Sequence, residues 1–253
     1  MKSLSRLLAA AAALALFASA TAAGGAADVD TTIARARKFL GKERDLDAVR
    51  TLHFRGRIEV TSAGQQESGS FELMLQSPYR SRTVQVIGDR RTIVGLDDMS
   101  GWVRVESVAK PELNRTEILD LPQLRNLRAQ TLENLAFYRG TERDGVRIES
   151  HGEGTIGGRR TASVAFVHPH GITYVRSFDV ATGQLLDTEV PGGARIREEG
   201  EQIVAGIRFP KRLVSTAKAS DGSTVEVAIV FDDIKVNETF APDTFTVPLL
   251  GER

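Results

Sequence analysis

From position 53 onward, apolar and polar residues alternate over short stretches that are separated by turn residues. The first two stretches are HFRGRIEV (53–60) and SGSFELMLQ (68–76). Their alternate apolar-face positions are Phe54, Gly56, Ile58 and Val60 in the first, and Phe71, Leu73 and Leu75 in the second. Because successive side chains of a β-strand point to opposite faces, each stretch predicts a strand with one apolar face.

Similar stretches recur about every ten residues along the rest of the chain. They cover residues 83–87, 91–96, 101–105, 146–151, 161–167, 172–178, 185–190, 202–209, 213–218 and 224–231. Close turns such as Gly157-Gly158 and Asp221-Gly222 lie between them, and no helical crossovers do. This pattern predicts a mainly β (α+β) protein with an antiparallel meander. No linker or change in composition divides it, so we expect a single domain over residues 30–250.

Two segments have helical spacing instead. In the first, Ile33, Ala36, Phe39 and Leu40 recur at three- and four-residue steps. Asp30 or Thr31 can cap its start, and Gly41 follows its end. The second segment, 122–138, has a stripe at helical spacing that consists of Leu121, Leu124, Leu127, Thr131, Leu135 and Tyr138. Both segments predict helices.

The first residues have the layout of a secretory signal peptide. Lys2 and Arg6 precede an apolar run over 7–17, and small residues with A-x-A spacing follow at 18–20 and 20–22. The run is too short to span a bilayer, and no later segment approaches the roughly 18 apolar residues that a membrane helix needs. We therefore expect a signal peptide over 1–22, a flexible leader over 23–29, and an exported protein without a transmembrane segment.

The composition excludes several classes of function. The chain has no cysteine, which excludes disulfides, thiol catalysis, thiolate metal sites and a lipid anchor on cysteine. Lys plus Arg equal Asp plus Glu at 33 each, and there is no basic stripe, so nucleic acid is not an expected partner.

Three short segments match, in residue types and spacing, the sequence patterns of known functional sites. GEGTIG (152–157) matches a dinucleotide-binding pattern, but a strand follows it where that site needs a helix, so we predict a hairpin. In SFDVATGQLLDTEV (177–190), Asp179 and Gly183 suit a turn rather than a calcium loop. His168 and His170, with His151, could bind a metal, but exposed hairpin histidines are the favoured interpretation.

Paired carboxylates occur at Asp97-Asp98 and at Asp232-Asp233. Adjacent strand residues point to opposite faces, so neither pair forms one site by itself. The sequence contains no H-E-x-x-H, no G-x-S-x-G and no S-x-x-K with its partner motifs. We therefore expect no catalytic residues, no metal and no cofactor. A hydrolase whose carboxylates converge in the fold remains an alternative.

Several segments resemble the exported bacterial proteins related to the LolA/LolB carriers, which sort lipoproteins to the outer membrane. They are ARARKFLGKERDLDAVRTLHFRGRIEV (34–60), GEGTIGGRRTASVAFVHPHG (152–171), YVRSFDVATGQLLDTEV (174–190), GIRFPKRLV (206–214) and FDDIKVNETFAPDTFTVP (231–248). The resemblance implies a strongly curved, unclosed antiparallel barrel whose apolar face is covered by helices. It also implies a cavity for acyl chains and no bond chemistry. Lys42 departs from the family pattern, in which a second Gly commonly follows Gly41.

The sequence and the resemblance together predict a periplasmic carrier or binding protein. Its ligand would be a lipid or a lipoprotein acyl chain, and inner- or outer-membrane envelope proteins are possible further partners. The candidate ligand-lining residues are Phe54, Ile58, Phe71, Leu73, Leu75, Trp102, Val225, Val227, Ile229 and Phe231. The alternatives are an envelope protein-interaction or sensor module on the same fold and, third, a hydrolase.

Overall fold

The computed structural model describes residues 28–107, 109–219 and 221–248. The predicted signal peptide and residues 23–27 of the predicted leader lie outside these ranges. Within them the α-helices are α1 (Val29–Leu40), α2 (Glu43–Asp47) and α3 (Leu121–Ala136). Short 3-10 helices cover Pro111–Leu113, Thr141–Asp144 and Pro169–Gly171. No helix in the described ranges is both long enough and apolar enough to cross a membrane.

Polar side chains start the two long helices. Asp28, two or three positions before the expected caps, accepts a hydrogen bond from the backbone of Asp30 and begins α1. Asp120 and Gln123 form a capping box at the start of α3, in which each side chain bonds the other residue's backbone N–H. The leader predicted to reach residue 29 therefore gives way to helix at Asp28.

β-Strands are the main secondary structure of the described ranges. The strands are β1 (Thr51–Ser62), β2 (Gln65–Gln76), β3 (Arg80–Ile87), β4 (Arg90–Asp97), β5 (Ser100–Ser107), β6 (Arg115–Ile118), β7 (Arg147–Ile156), β8 (Arg159–Val167), β9 (Thr173–Asp179), β10 (Leu185–Glu189), β11 (Arg195–Glu199), β12 (Gln202–Val204), β13 (Ile207–Phe209), β14 (Arg212–Lys218) and β15 (Thr224–Val236).

Thirteen of the strands in the described ranges form one antiparallel sheet in the order β6-β5-β4-β3-β2-β1-β15-β14-β11-β10-β9-β8-β7. The sheet is curved, and β6 and β7 remain its two edges, so within these ranges it does not close into a barrel. β15 joins the two runs of neighbouring strands because it pairs with both β1 and β14. The structure thus confirms the prediction of an unclosed antiparallel half-barrel with helices.

Local details differ from the sequence prediction. Residues 202–209 were expected to form one strand, but β12 and β13 form a separate hairpin because Ala205 and Gly206 both have positive φ, 52° and 80°. Two residues with positive φ make the tight turn that joins antiparallel strands. The alternation did not predict β6, β11 or α2.

Two turns are as expected. Gly157 and Gly158 join β7 to β8, which makes GEGTIG part of a hairpin. Asp179 Oδ1 accepts hydrogen bonds from the backbone N–H groups of Ala181 (2.9 Å) and Thr182 (2.7 Å), and Gly183 has a φ of 81°. The acidic segment is therefore a bend that its own carboxylate stabilises.

The sheet has an inner face, which α1 and α3 cover, and an outer face. On the inner face, Ile33 of α1 and Ala129 of α3 pack in one core cluster with Phe166 and Phe178. Phe137, which follows α3, packs in a second cluster with strands β1, β2 and β15. Phe137 and Tyr138 have positive φ (47° and 69°), and their rings pack into different clusters.

The outer face is covered in part by the segment that follows β15. The indole Nε1 of Trp102 donates a hydrogen bond to the carbonyl of Phe245 (3.0 Å), and Trp102 packs with Val84 and Ile93. His53 contacts Glu72 (2.9 Å) and Glu238 on the same face. The C-terminal segment is therefore bound to the outer face at two places.

Candidate functional site

The structure brings nine of the ten candidate lining residues together on the inner face. Strand register shows this: Ile58 on β1 lies opposite Ile229 on β15, and Gly56 lies opposite both Phe71 and Phe231. Trp102 is the exception. It belongs to the outer-face cluster under Phe245, so it does not join the other nine.

The nine inner-face residues differ in burial. Five are buried, and they are Phe54, Ile58, Phe71, Leu75 and Phe231. Four are half-buried, and they are Leu73, Val225, Val227 and Ile229. The inner face therefore has a filled part and a part that remains accessible.

The filled part is occupied by the protein's own aromatic side chains. The ring of Phe54 lies 5.1 Å from that of Phe231 and 5.8 Å from that of Phe209, which the β12–β13 hairpin supplies. Phe137 lies 6.5 Å from Phe209, and Ile207 of the same hairpin is fully buried. In this conformation the hairpin and the end of α3 occupy the space that an apolar ligand would need there.

The accessible part is a surface that we call the apolar trough. It consists of six half-buried aliphatic side chains on five neighbouring strands: Val60, Leu73, Ile87, Leu213, Val227 and Ile229. Leu135 of α3 packs against the same cluster. Val225 continues the β15 row at the strand end, opposite Ser62 and Ala217. The alternation placed Val60 on the apolar face of its strand, but Val60, Ile87 and Leu213 were not among the candidate lining residues.

A buried charged triad lies on the inner face beside the core cluster that contains Phe166 and Phe178. Glu133 of α3 forms an ion pair with Arg176 of β9, and Glu133 Oε1 lies 2.6 Å from His168 Nε2. The guanidinium carbon of Arg176 lies 4.8 Å from the ring centre of Phe166 and 5.1 Å from that of Tyr138. The triad attaches α3 to the sheet.

Each charge of the triad compensates another. Burial alone would raise the pKa of Glu133, but the charge of Arg176 and the hydrogen bonds from His168 and Arg176 lower that pKa overall. Glu133 in turn raises the pKa of Arg176 despite the burial of the guanidinium. Glu133 is therefore ionised, and the triad holds a compensated pair rather than a free charge.

The placement of His168 corrects a prediction. We expected exposed hairpin histidines, but His168 is only 5% exposed, because Glu133 lies against it from a helix 35 residues away in sequence. His151 and His170 are exposed, as expected. In the described ranges no three His, Cys, Asp or Glu side chains are arranged to hold a metal ion.

Glu198 of β11 is a second carboxyl group on the inner face. It lies opposite Leu213 of β14, which in turn lies opposite Ile229 of β15. Burial raises its pKa from the ordinary value near 4.5 to about 7, even though the charge of Arg176 lowers it. Burial, and then the charge of Glu198, raise the pKa of Tyr138. No sequence motif marked Glu198, since it is one of several Glu residues in a polar stretch.

The paired carboxylates Asp97 and Asp98 are each held by an arginine. Asp97 accepts from Arg80 (2.7 Å), and Asp98 accepts from Arg128 (2.7 Å), whose guanidinium carbon lies 3.8 Å from the ring centre of Tyr79. Since α3 carries Arg128, this contact attaches α3 to the β4–β5 turn. Asp97 and Asp98 therefore act in local ion pairs.

A cleft of about 680 Å³ lies between the end of α1 and the β12–β13 hairpin. Its walls include Phe39, Lys42, Arg208 and Ile203, and the Ile203 side chain is 67% exposed. The guanidinium of Arg208 stacks on the Phe39 ring, 4.6 Å from its centre, and closes one side. This cleft is separate from the apolar trough, because none of its lining residues belongs to the trough.

Comparisons with known proteins show the fold. No family model matches the sequence, and no curated protein matches it. Among solved structures, a LolA superfamily protein from Nitrosomonas europaea matches with a TM-score of 0.57 at 10% identity, over 88% of this chain and 99% of that chain. A DUF1329 family protein from Desulfovibrio piger matches with a TM-score of 0.56 at 10% identity, over 86% and 96%.

A domain from Vibrio parahaemolyticus that is named for outer membrane lipoprotein sorting also matches, with a TM-score of 0.54 at 10% identity, over 87% of this chain and 97% of that chain. The chain therefore has a LolA-like fold, as its sequence resemblance implied. At these identities the likeness concerns the fold.

Proposed function

We propose that this protein is an exported, periplasmic carrier or binding protein that holds an acyl chain of a lipid or lipoprotein in the apolar trough. The observation that carries this proposal is the trough itself, six half-buried aliphatic side chains on five neighbouring strands. The name of the Vibrio domain, which refers to lipoprotein sorting, supports an acyl ligand. The signal-peptide pattern of residues 1–22 supports export.

Burial of the chain would supply the binding free energy. Each methylene removed from water contributes about 0.8 kcal/mol, so a chain of ten carbons gains up to roughly 8 kcal/mol before the cost of association. Such binding needs no covalent step and no nucleotide.

The filled part of the inner face limits where the ligand lies. We propose that the acyl chain lies along the trough, where it would leave Phe209 and Phe137 in place. Deeper entry requires the β12–β13 hairpin to move, because Ile207 and Phe209 pack directly on β1 and β15. We propose that a partner in the envelope drives release by acting on these elements.

The filled part also favours a second candidate, an envelope protein-interaction or sensor module on the same fold. In that case the aromatic cluster around Phe54 and Phe209 is a permanent core. The two candidates differ in whether the purified protein takes up an apolar molecule.

A matched pair of variants tests the proposal. Val227 and Val230 are half-buried residues of β15 that lie on opposite faces, because Val227 is opposite Val60 and Val230 is opposite Arg57. We expect Val227→Gln to weaken binding of the neutral fluorophore N-phenyl-1-naphthylamine about tenfold, since it places an amide in the trough. Val230→Gln is the control and should bind like the wild type.

The same protein, secreted and purified without detergent, should carry an acyl-bearing adduct in native mass spectrometry. A bare mass together with no fluorophore uptake would contradict the carrier and favour the interaction module. Equal loss of uptake in both variants would show that the trough is not the binding surface.

A further inference from the structure

Glu198 occupies an unusual position beside the trough. Its neighbour across the strand pair is Leu213, a trough residue, so the carboxyl group projects from the same face as the aliphatic side chains. The adjacent Glu199 lies on the opposite face and pairs with Arg212 (2.6 Å). Glu198 therefore lies on the inner face, whereas Glu199 lies on the outer face and is paired with an arginine.

The carboxyl group of Glu198 forms no hydrogen bond or ion pair with any residue in the part of the chain that the structure describes. The side chain is half-buried, so part of it still contacts open space. Yet the protein around it removes enough water to raise its pKa to about 7. Glu198 therefore combines a partly accessible carboxyl group that has no partner with reduced hydration, on the inner face beside Leu213.

The charged groups that act on Glu198 do not supply a partner for its carboxylate. Arg176 on β9 acts on it electrostatically, but Arg176 is already paired with Glu133. Tyr138, after α3, is the other titratable group that couples to it, and its phenol is neutral since burial raises its pKa. An ionised Glu198 would therefore leave one uncompensated negative charge on the inner face.

We propose that Glu198 binds the polar head of an amphiphilic ligand, and that this head is a protonated amine. The inference rests on the proposed function, because the alkyl part of the ligand would lie in the trough next to Leu213. An ammonium group supplies three hydrogen-bond donors and the missing positive charge. A carboxylate or phosphate head would meet Glu198 as a like charge, and a hydroxyl would donate one neutral bond.

Isothermal titration calorimetry at pH 8 with decylammonium, decanol and decanoate tests the proposal, since the three ligands share one chain. We expect the wild type to bind decylammonium at least tenfold more tightly than decanol, and decanoate more weakly than decanol. Glu198→Gln should reduce decylammonium affinity to that of decanol and leave decanol unchanged. Glu199→Gln, on the other face, is the control and should keep the preference.

Equal affinity for the amine and the alcohol in the wild type would overturn the proposal, and so would a preference that survives in Glu198→Gln. If decanol itself does not bind, the proposed acyl-chain function fails, and that result is distinct from a lost preference among ligands that do bind.

The pH dependence of stability, measured without ligand, tests the position of Glu198 on the inner face. In the unfolded chain this carboxyl ionises near pH 4.5, whereas in the folded protein it stays protonated up to about pH 7. Stability is therefore lost as pH rises through that interval. We expect Glu198→Gln to raise the urea midpoint more at pH 8 than at pH 5. The same gain at both pH values would contradict the position assigned to Glu198.

Discussion

At Gly95 a missing side chain makes room for the only tryptophan of the chain. Gly95 on β4 lies opposite Trp102 on β5, and the indole ring covers the glycine. A Cβ atom at position 95 would lie only 2.2 to 2.4 Å from the indole atoms Cε2, Cζ2 and Nε1 and would overlap the ring. An aromatic ring over a cross-strand glycine restores the packing that glycine lacks in a strand. The pair thus stabilises the outer face under the C-terminal segment.

We expect Gly95→Ala to lower the free energy of unfolding by about 1–3 kcal/mol, because the indole must shift in a packed cluster. Urea denaturation measures this change. Gly154→Ala is the control, since a Cβ there would lie 3.4 Å from the nearest atom, Oγ1 of Thr161, and would need no rearrangement. Equal effects of the two substitutions would contradict the packing explanation.

Two elements are fixed to the sheet by specific contacts rather than by apolar packing alone. α3 is attached at three points: by Arg128 to Asp98, by Thr131 Oγ1 to Ser81 Oγ (2.9 Å), and by Glu133 to Arg176. Of these contacts the Glu133–Arg176 ion pair is buried, and breaking it is costly because the remaining charge is left without a partner. α3 is therefore a fixed cover over the inner face in this conformation.

The C-terminal segment is the second such element. Phe245 is 2% exposed, its ring lies 5.5 Å from that of Phe240, and its carbonyl accepts the indole hydrogen bond of Trp102. Since Trp102 is the only tryptophan, the tryptophan fluorescence reports on the surroundings of this one indole, which include Phe245.

We expect Phe245→Ala to cost about 3–5 kcal/mol of stability, as deletion of a buried aromatic ring does. It should also shift the native tryptophan emission to longer wavelength and increase quenching by acrylamide, because water reaches Trp102. Phe166→Ala is the control: Phe166 is fully buried but lies in the inner-face cluster. It should reduce stability without changing the native emission, and an emission shift in both variants would argue against a local role of the C-terminal segment.

At the scale of the whole molecule, one open sheet serves two purposes. Its filled part provides a hydrophobic core, and its accessible part leaves aliphatic surface in contact with solvent. A ligand that binds only the folded state stabilises it by mass action, by about 2.7 kcal/mol when its free concentration is 100-fold above the Kd.

We therefore expect decanol at that excess to raise the melting temperature by roughly 5–10 °C, since 1 kcal/mol corresponds to about 2–4 °C for a domain of this size. Differential scanning calorimetry measures the shift. Val227→Gln should show a reduced shift and Val230→Gln an unchanged one. A melting temperature that decanol leaves unchanged in the wild type would contradict a ligand site on the inner face.

The strand pattern could be predicted from the sequence because the alternation of side chains is a local property. Phe54, Ile58, Phe71 and Leu75 share a face for that reason, and the turns at Gly157-Gly158 and at Asp179 follow from residue types that suit them. The prediction failed at 202–209 because a backbone with positive φ at Ala205 is not marked by a strong turn pair such as Asn-Gly.

The sequence by itself thus determined an antiparallel meander and the apolar alternation of its strand faces, and the resemblance of its segments to a known family implied the half-barrel. The tertiary structure alone decided which apolar residues are core and which remain accessible, because that depends on coverage by distant elements. Phe54 is buried since the hairpin of Phe209 lies on it, Trp102 lies on the outer face under a residue 143 positions away, and His168 is buried by Glu133 of α3. Burial is a property of contacts between segments remote in the chain, and periodicity within one segment carries no information about them.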